Sequence, residues 1–351
     1  MMSEMKNLPK IPASQFAFVG DEGRLHDKKL ETKPVGYFKD AMIRFCKNKS
    51  SVVAAYIILF LVLYAIFVPI FCETTYSRAL TDTTYLMYTK LPPKVEGMGW
   101  LGMDGTGNVT VNEADYNTMR ALAQETGLDP VLEVYRAAYT DPTSSSKTTF
   151  YDLKVDNYYR MGMAYLTLTP GEFESIQAWQ DETGIQVIYP AITDTRQSDA
   201  NIWYEANRKG VATLDDEGNF QPIYKTTTPT DTTYHSLRIA ADNDPERPLA
   251  YARVGGTSSA PSYVVRVCKY TYFQYRYGFE PAFVFGTNAK GQDIFTRLAA
   301  GARFSFLLAI SISAINLFIG AIYGAIEGYY GGAVDLVMKR IADVINGVPF
   351  I

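Results

Sequence analysis

The chain has 351 residues, 47% of them hydrophobic and 20% charged, with a net charge of −4. That balance excludes a disordered chain, which needs few apolar residues and a strong net charge, and a dedicated nucleic-acid binder, whose phosphate contacts need a basic surface. Three cysteines exclude a disulfide-stapled scaffold, and two histidines, His26 and His235, are too few for a multi-histidine metal centre or a His-dependent enzyme.

The apolar residues are concentrated. Tyr37 to Asn48 mixes aromatic and basic residues and suits an inner membrane interface, a cytosolic linker being the plainer reading. Ser51 to Phe71 then runs for 21 residues without a charge. About 20 apolar residues cross a bilayer, and a buried core helix of that length would carry a polar stripe. A cleaved signal peptide fits poorly, because a long polar stretch precedes the run and no small-residue cleavage site follows it. Five basic residues lie in the twenty positions before Ser51 (Lys33, Lys39, Arg44, Lys47, Lys49), against two (Arg78, Lys90) in the twenty from Cys72. The positive-inside bias therefore puts residues 1–50 in the cytoplasm and the segment after the span outside.

Residues 72–285 have the character of a soluble α+β domain. Asp104 to Asp115 faintly resembles a calcium loop, with oxygens at Asp104, Thr106, Asn108, Asn112 and Asp115. Val109 stands where such a loop needs glycine, and Asp115 where it needs glutamate, so a surface turn is the better reading. Asn112 opens a helix that Gly127 ends. Thr169-Pro170-Gly171-Glu172 starts another, which Gly184 ends, with a strand over Ile185 to Ile192. The strings AQETGL and QDETGI, 57 residues apart, read as two similar helix ends rather than a duplicated unit. Asp215 to Asn219 signals a hairpin turn. His235 has no nucleophile motif beside it, and no phosphate-cradling P-loop exists. Tyr263 to Tyr277, rich in β-branched and aromatic residues, predicts strand. Cys72 and Cys268 would lie on the same side of the membrane; free thiols are the default expectation.

Residues 286–303 combine Asp293 and Arg297, four apart, with Ile294, Phe295 and Leu298. They predict a short amphipathic segment on the outer surface. Residues 304–327 follow as a second span, uncharged from Phe304 to Ile326. Its Ser305, Ala309, Ser313, Asn316, Gly320 and Gly324 recur every three or four residues and so share one face. Small residues let helices approach closely in lipid, so this face suits helix packing or a pathway, with Asn316 its most polar member. Residues 328–351 read as a short turn and the start of a third membrane helix, with Asp335, Lys339, Arg340 and Asp343 spaced for intrahelical ion pairs. The apolar run from Val344 stops at Ile351, and the expectation is a fragment of a longer protein.

Gly286 to Ser305 (GTNAKGQDIFTRLAAGARFS), then GYYGGAVD at Gly328 to Asp335, then RIAD at Arg340 to Asp343 and Pro349, form a specific succession. It resembles the C-type permease subunit of bacterial dipeptide/oligopeptide ABC transporters. The matching positions are Gly286, Thr287, Gly291, Asp293, Arg297, Gly301, Ala302, Arg303 and Ser305, then Gly328, Tyr329, Tyr330, Gly331, Gly332, Asp335, Arg340, Asp343 and Pro349. Asn288 and Gln292 depart, standing where the family carries Asp and Arg, which puts an ion pair there in doubt. The resemblance covers about Phe38–Phe71 and Phe283–Ile351, and the external segment between them is larger than such subunits usually carry.

The resemblance implies an α-helical membrane protein of the ABC importer permease type with a large inserted α+β extracellular domain. It implies no enzymatic chemistry and no cofactor in this chain, ATP being bound by separate subunits. The implied partners are a homologous permease subunit, two cytoplasmic ATPase subunits, an extracellular peptide-binding protein and the lipid bilayer, with no nucleic acid. The family's ATPase-docking loop follows the fourth span and would lie beyond Ile351. The rival reading is a membrane-anchored extracellular sensor or ligand-binding module.

Overall fold

A computed structural model describes residues 12, 36–76, 87–140, 148–192, 199–208, 211–228, 230–236, 248–257 and 259–347. Lys33, Arg78, His26 and Pro349 lie outside them. The chain divides into two units, 1–60 and 61–351, the boundary falling inside a helix. Each unit is taken by itself.

The first unit holds α1 (Tyr37–Lys47) and the start of α2 (Lys49–Tyr76). α1 buries none of its residues, leaves Tyr37 and Phe38 exposed, and pairs Arg44 with Asp40 at 2.7 Å. An amphipathic helix with no covered face suits an interface. α2 has 28 residues and is therefore about 42 Å long, enough to cross hydrocarbon.

The second long apolar helix is α6 (Ile294–Tyr330), 37 residues and about 55 Å. The break expected between an amphipathic segment at 286–303 and a span at 304–327 does not exist: one helix covers both, because nothing from Ile294 to Tyr330 interrupts its hydrogen bonding and no proline intervenes. The expected turn at 328 is likewise narrower, since Gly328 to Tyr330 belong to α6 and only Gly331 and Gly332, both at positive φ, turn the chain into α7 (Gly332–Gly347).

Between the apolar helices lies an α+β domain. Strands β1 (Thr106–Asn112), β2 (Val131–Thr140) and β3 (Thr149–Asp156) form an antiparallel sheet in the order β1-β3-β2, covered by α3 (Glu113–Thr126). A second antiparallel sheet orders β4 (Met163–Leu168), β8 (Ala260–Cys268), β7 (Ala252–Thr257) and β6 (Tyr234–His235), with β5 (Ile188–Tyr189) also on β8. It is covered by α4 (Pro170–Thr183), and α5 (Lys269–Tyr277) follows β8 directly.

The two halves are copies of one βαββ unit. β4, α4 and β5 begin 57 residues after β1, α3 and β2, at Met163, Pro170 and Ile188 against Thr106, Glu113 and Val131. Register repeats too: Thr106 pairs with Asp156 and Val131 with Val155, as Met163 pairs with Cys268 and Ile188 with Val267. The core repeats in kind. Val111, Met119, Leu153 and Val155 bury one helix on its sheet; Leu168, Ile176, Val265 and Val267 bury the other at equivalent positions. Tyr116 lies 4.2 Å from Tyr151 as Phe173 lies 5.7 Å from Tyr263, ring centre to ring centre. The AQETGL and QDETGI strings are thus corresponding helix ends of two like units, which corrects the reading of them as only two similar helix ends. Gly127 and Gly184 end their helices at φ 74° and 71°, and Thr126 and Thr183 each donate to a carbonyl one turn back at 2.7 Å.

Two strand expectations change. Tyr263 to Tyr277 is strand only to Cys268; from Lys269 it is helix α5, whose Tyr270, Thr271, Tyr272 and Phe273 are buried before Gly278 ends it at φ 77°. Tertiary burial overrides the weak helix propensity of aromatic residues. The strand at Ile185–Ile192 shrinks to Ile188–Tyr189, with Ile192 bridging to Tyr224. The Asp215 turn forms, its carboxylate accepting from the Glu217 and Asn219 amides. Cys46, Cys72 and Cys268 are free.

Candidate functional site

The segment carrying the motif is a loop that delivers the chain into α6. Gly286 sits at φ 72°, and an added Cβ would stand 2.2 Å from the Leu91 carbonyl oxygen, so only glycine fits. Thr287 is buried. Its amide donates to the Leu91 carbonyl at 2.9 Å, its Oγ1 donates to the Tyr88 carbonyl at 2.5 Å, and the Leu91 amide donates to that Oγ1 at 2.8 Å. Burial raises the phenol pKa of Tyr88 well above its ordinary value, keeping it a neutral core side chain.

Asn288 closes the loop. Its Oδ1 accepts from the Lys290 and Gln292 amides at 2.8 and 3.0 Å, and its Nδ2 donates to the Gln292 side-chain oxygen at 3.3 Å. The two positions that depart from the motif thus meet each other as one amide pair. Gly291 turns at φ 76°. Asp293, 3% exposed, is the N-cap of α6, accepting from the Phe295 and Thr296 amides at 3.2 and 3.1 Å and from Thr296 Oγ1 at 2.5 Å. A carboxylate there also complements the helix dipole. Thr296, fully buried, escaped the sequence reading, although a cap followed three residues later by a polar side chain was a usable signal. Tyr64 of α2 donates to the Phe295 carbonyl at 2.6 Å and packs its ring on Phe295.

A second cluster joins the end of α6 to α7. Lys339 pairs with Asp335 at 2.9 Å, as its spacing predicts, and lies 3.9 Å from Glu327, which the spacing did not reveal. Tyr323 donates to the Met338 carbonyl at 2.7 Å, and Arg340 stands 3.8 Å from Asp343. The remaining motif residues are not gathered into a site. Arg303, Ser305, Ser313, Asn316, Gly320, Gly324, Gly328, Tyr329 and Tyr330 are exposed along α6, and Arg297 is half-buried. A Cβ added at Gly301, Gly320, Gly324 or Gly328 would meet nothing within 4 Å. No group of three or more His, Cys, Asp or Glu suited to a metal occurs among the described residues. In the stretch resembling a calcium loop, Asp104 bonds the Thr106 amide and hydroxyl and Asn112 caps α3.

The α+β domain enters and leaves at one place. Lys90 and Lys94 donate from their amides to the carbonyls of Asn288 and Phe283 at 3.1 and 2.9 Å, so the strands of chain flanking the domain lie side by side. Ends this close are what an inserted domain requires.

A family model described as the N-terminal TM domain of oligopeptide transport permease C matches residues 36–93. The dipeptide transport system permease protein DppC of Bacillus subtilis is 43% identical over 67 residues, 19% of this chain and 21% of its own. The oligopeptide transport system permease protein OppC of Haemophilus influenzae is 46% identical over 66 residues, 19% and 21% of the two chains, and that of Bacillus subtilis 45% over 65, 18% and 21%. The chain spans about a fifth of the length of these curated relatives. No solved structure matches. The chain thus resembles C-type permease subunits of peptide ABC transporters over part of its length, and its two long apolar helices fit a membrane protein.

Proposed function

We propose that this chain is a permease subunit of a binding-protein-dependent ABC importer for dipeptides or oligopeptides, and that it forms half of the translocation pathway with a homologous subunit. The observation that carries the reading is the junction at Thr287. The stretch matched by the permease model ends at residue 93, and its Tyr88 and Leu91 hold the motif threonine 196 or more residues onward in the chain. Two family-like pieces, far apart in sequence, are built as one.

On this reading the protein resides in the bacterial cytoplasmic membrane, with a cytoplasmic N-terminus and an extracellular α+β domain. Its pathway face is the small-residue stripe of α6, uncovered among the described residues and available to a second permease subunit. ATP is bound by two separate cytoplasmic ATPase subunits, and an extracellular binding protein delivers peptide. The chain contributes shape and movement and makes no covalent bond.

The test is uptake of a labelled tripeptide by cells whose other peptide importers are deleted, with and without the gene, alongside purification of the tagged protein from native membranes. Lost ATP-dependent uptake and co-purifying ATPase subunits are expected. Unchanged uptake of every peptide, with a signalling protein as the co-purifying partner, would favour the sensor reading and end this one.

A further inference from the structure

One apolar feature of the α+β domain serves neither its core nor the motif loop. Residues 95–103 form a tight hairpin closed by the Val95 amide on the Met103 carbonyl at 2.9 Å and by a bridge between Lys94 and Asp104. At its tip a short 3-10 turn, Gly99–Leu101, holds Trp100 outward. Trp100 is 81% exposed, Leu101 55% and Met98 42%. The tip is ordered: the Met98, Leu101 and Gly102 amides donate to the Val95, Met98 and Gly99 carbonyls at 3.1, 3.0 and 2.9 Å, and Gly97 and Gly102 take φ 77° and 73°. The fold thus fixes in place an indole that it does not cover. Isolated surface apolar residues need no explanation, but a rigid cluster of three on a loop tip does.

Its position indicates what covers it. The hairpin springs from Lys94, whose amide is bonded to Phe283, beside the loop that caps α6. That cap is tied to the first apolar helix through Tyr64 and Phe295. Tyr64 lies seven residues before Phe71, near the end of the uncharged run, or about 10 Å along the helix. The start of α6 therefore lies beside the last turns of the first apolar helix, and the hairpin springs from the segment that leads into that start. Val284 and Phe285 on the same segment are exposed as well, Phe285 resting on Phe295 with 5.6 Å between ring centres. Between Gly97 and Met103 there is no charged side chain, and the hairpin's one exposed ionic group is Glu96 at its base.

We propose that the 95–103 hairpin is a membrane anchor, with Trp100, Leu101 and Met98 seated in the interface of the leaflet on the α+β domain's side. Indole suits that depth, its ring among the upper acyl chains and its Nε1–H toward headgroup acceptors. The anchor holds the inserted domain against the bilayer beside the entry of α6. With Glu96 as its one charge, it takes zwitterionic lipid and needs no anionic headgroup. The proposal rests on α2 and α6 spanning the membrane.

The experiment uses the full chain reconstituted in phosphatidylcholine vesicles, some prepared with lipid brominated near the top of the acyl chain. The chain has three tryptophans, and the emission lost in Trp100→Phe belongs to Trp100. With the side chain 81% exposed, that variant disturbs little of the domain's own packing. Trp100 emission is expected to lose most of its intensity in brominated vesicles and to resist aqueous iodide, equally at low and high salt. Quenching by iodide without quenching by bromolipid would overturn the anchor, leaving the tip in water. Quenching by neither would overturn it too, assigning the tip to a protein contact. Release of the whole chain by a carbonate wash would instead reject the spanning reading on which the anchor depends.

Discussion

Replacing Glu125 with leucine strands a charge in the middle of the α+β domain. Arg266 on β8 is 0% exposed in its side chain and Glu125 at the end of α3 is 3% exposed, the two bonded through both carboxylate oxygens. The guanidinium also donates through Nε to the Ala200 carbonyl at 2.8 Å and through Nη1 to that of Pro190 at 2.5 Å, while Tyr224 donates to Glu125 at 2.8 Å. The pair therefore locks the first βαββ copy to the second and to the irregular segment beyond β5. Removing one partner of such a pair costs about 3–5 kcal/mol. The two carbonyls still bonded to Arg266 favour the lower figure, about 3 kcal/mol, which for a domain of this size lowers Tm by about 6–12 °C.

Burial holds the Glu125 carboxyl above its ordinary 4.5, outweighing Arg266 and Tyr224, which pull it down. With a raised folded pKa the native state keeps its proton longer than the unfolded chain, so this group's contribution to stability falls as pH rises from 4.5 through the raised value. Desolvation thus exceeds attraction, and the double variant Glu125→Leu with Arg266→Met should cost less than the two single losses added, by more than about 1 kcal/mol. Thermal melts of the full chain in detergent, followed by near-UV circular dichroism, read all three variants. A Glu125→Leu protein melting within about 2 °C of wild type, or strict additivity in the double variant, would refute the reasoning.

Asp293→Ala removes the cap of α6 and should cost about 1–2 kcal/mol at its first turn, with Asp293→Asn losing much less; hydrogen exchange at the amides of Phe295 and Thr296 measures it, and unchanged exchange in Asp293→Ala would count against the cap. Thr169→Ala breaks the capping box of α4, a loss of about 1 kcal/mol. The Thr169 backbone and side-chain hydrogen bonds hold the Glu172 carboxyl below its ordinary 4.5, so its contribution is present above 4.5 and fades as pH falls through the lowered value. Carboxyl NMR should find Glu172 titrating nearer 4.5 in Thr169→Ala, and an unmoved titration would contradict the box.

What the sequence disclosed follows from how local each constraint is. A bilayer demands length and apolarity within one segment, so both long helices could be read directly, as could the caps Asn112 and Thr169 and the terminators Gly127 and Gly184. Where a long helix starts is less local. Asp293 and Arg297 at four-residue spacing suggested a separate surface helix, but the carboxylate is spent on the α6 amides and the helix runs on. The duplication was hidden for a different reason. Its copies share volume and position rather than identity: Met119 answers to Ile176, Tyr116 to Phe173, Leu153 to Val265. Cores tolerate such exchange while size and pattern are kept, so the matched register survives where the letters do not.

The motif loop joins these two kinds of information. Asn288 and Gln292 stood in the sequence as two departures that put an ion pair there in doubt. Their side chains meet as a neutral amide pair that leaves no charge unpartnered at the turn. A charge at only one of the two positions would face an amide here, and an unpartnered charge costs more than a neutral pair. Tyr88 and Leu91 have no motif character of their own. They acquire a role because the α+β domain returns the chain to Lys94 at Phe283 and so brings Thr287 to their carbonyls. A domain that closes on itself at its root leaves the flanking loop free to keep its geometry, however much chain lies between its halves.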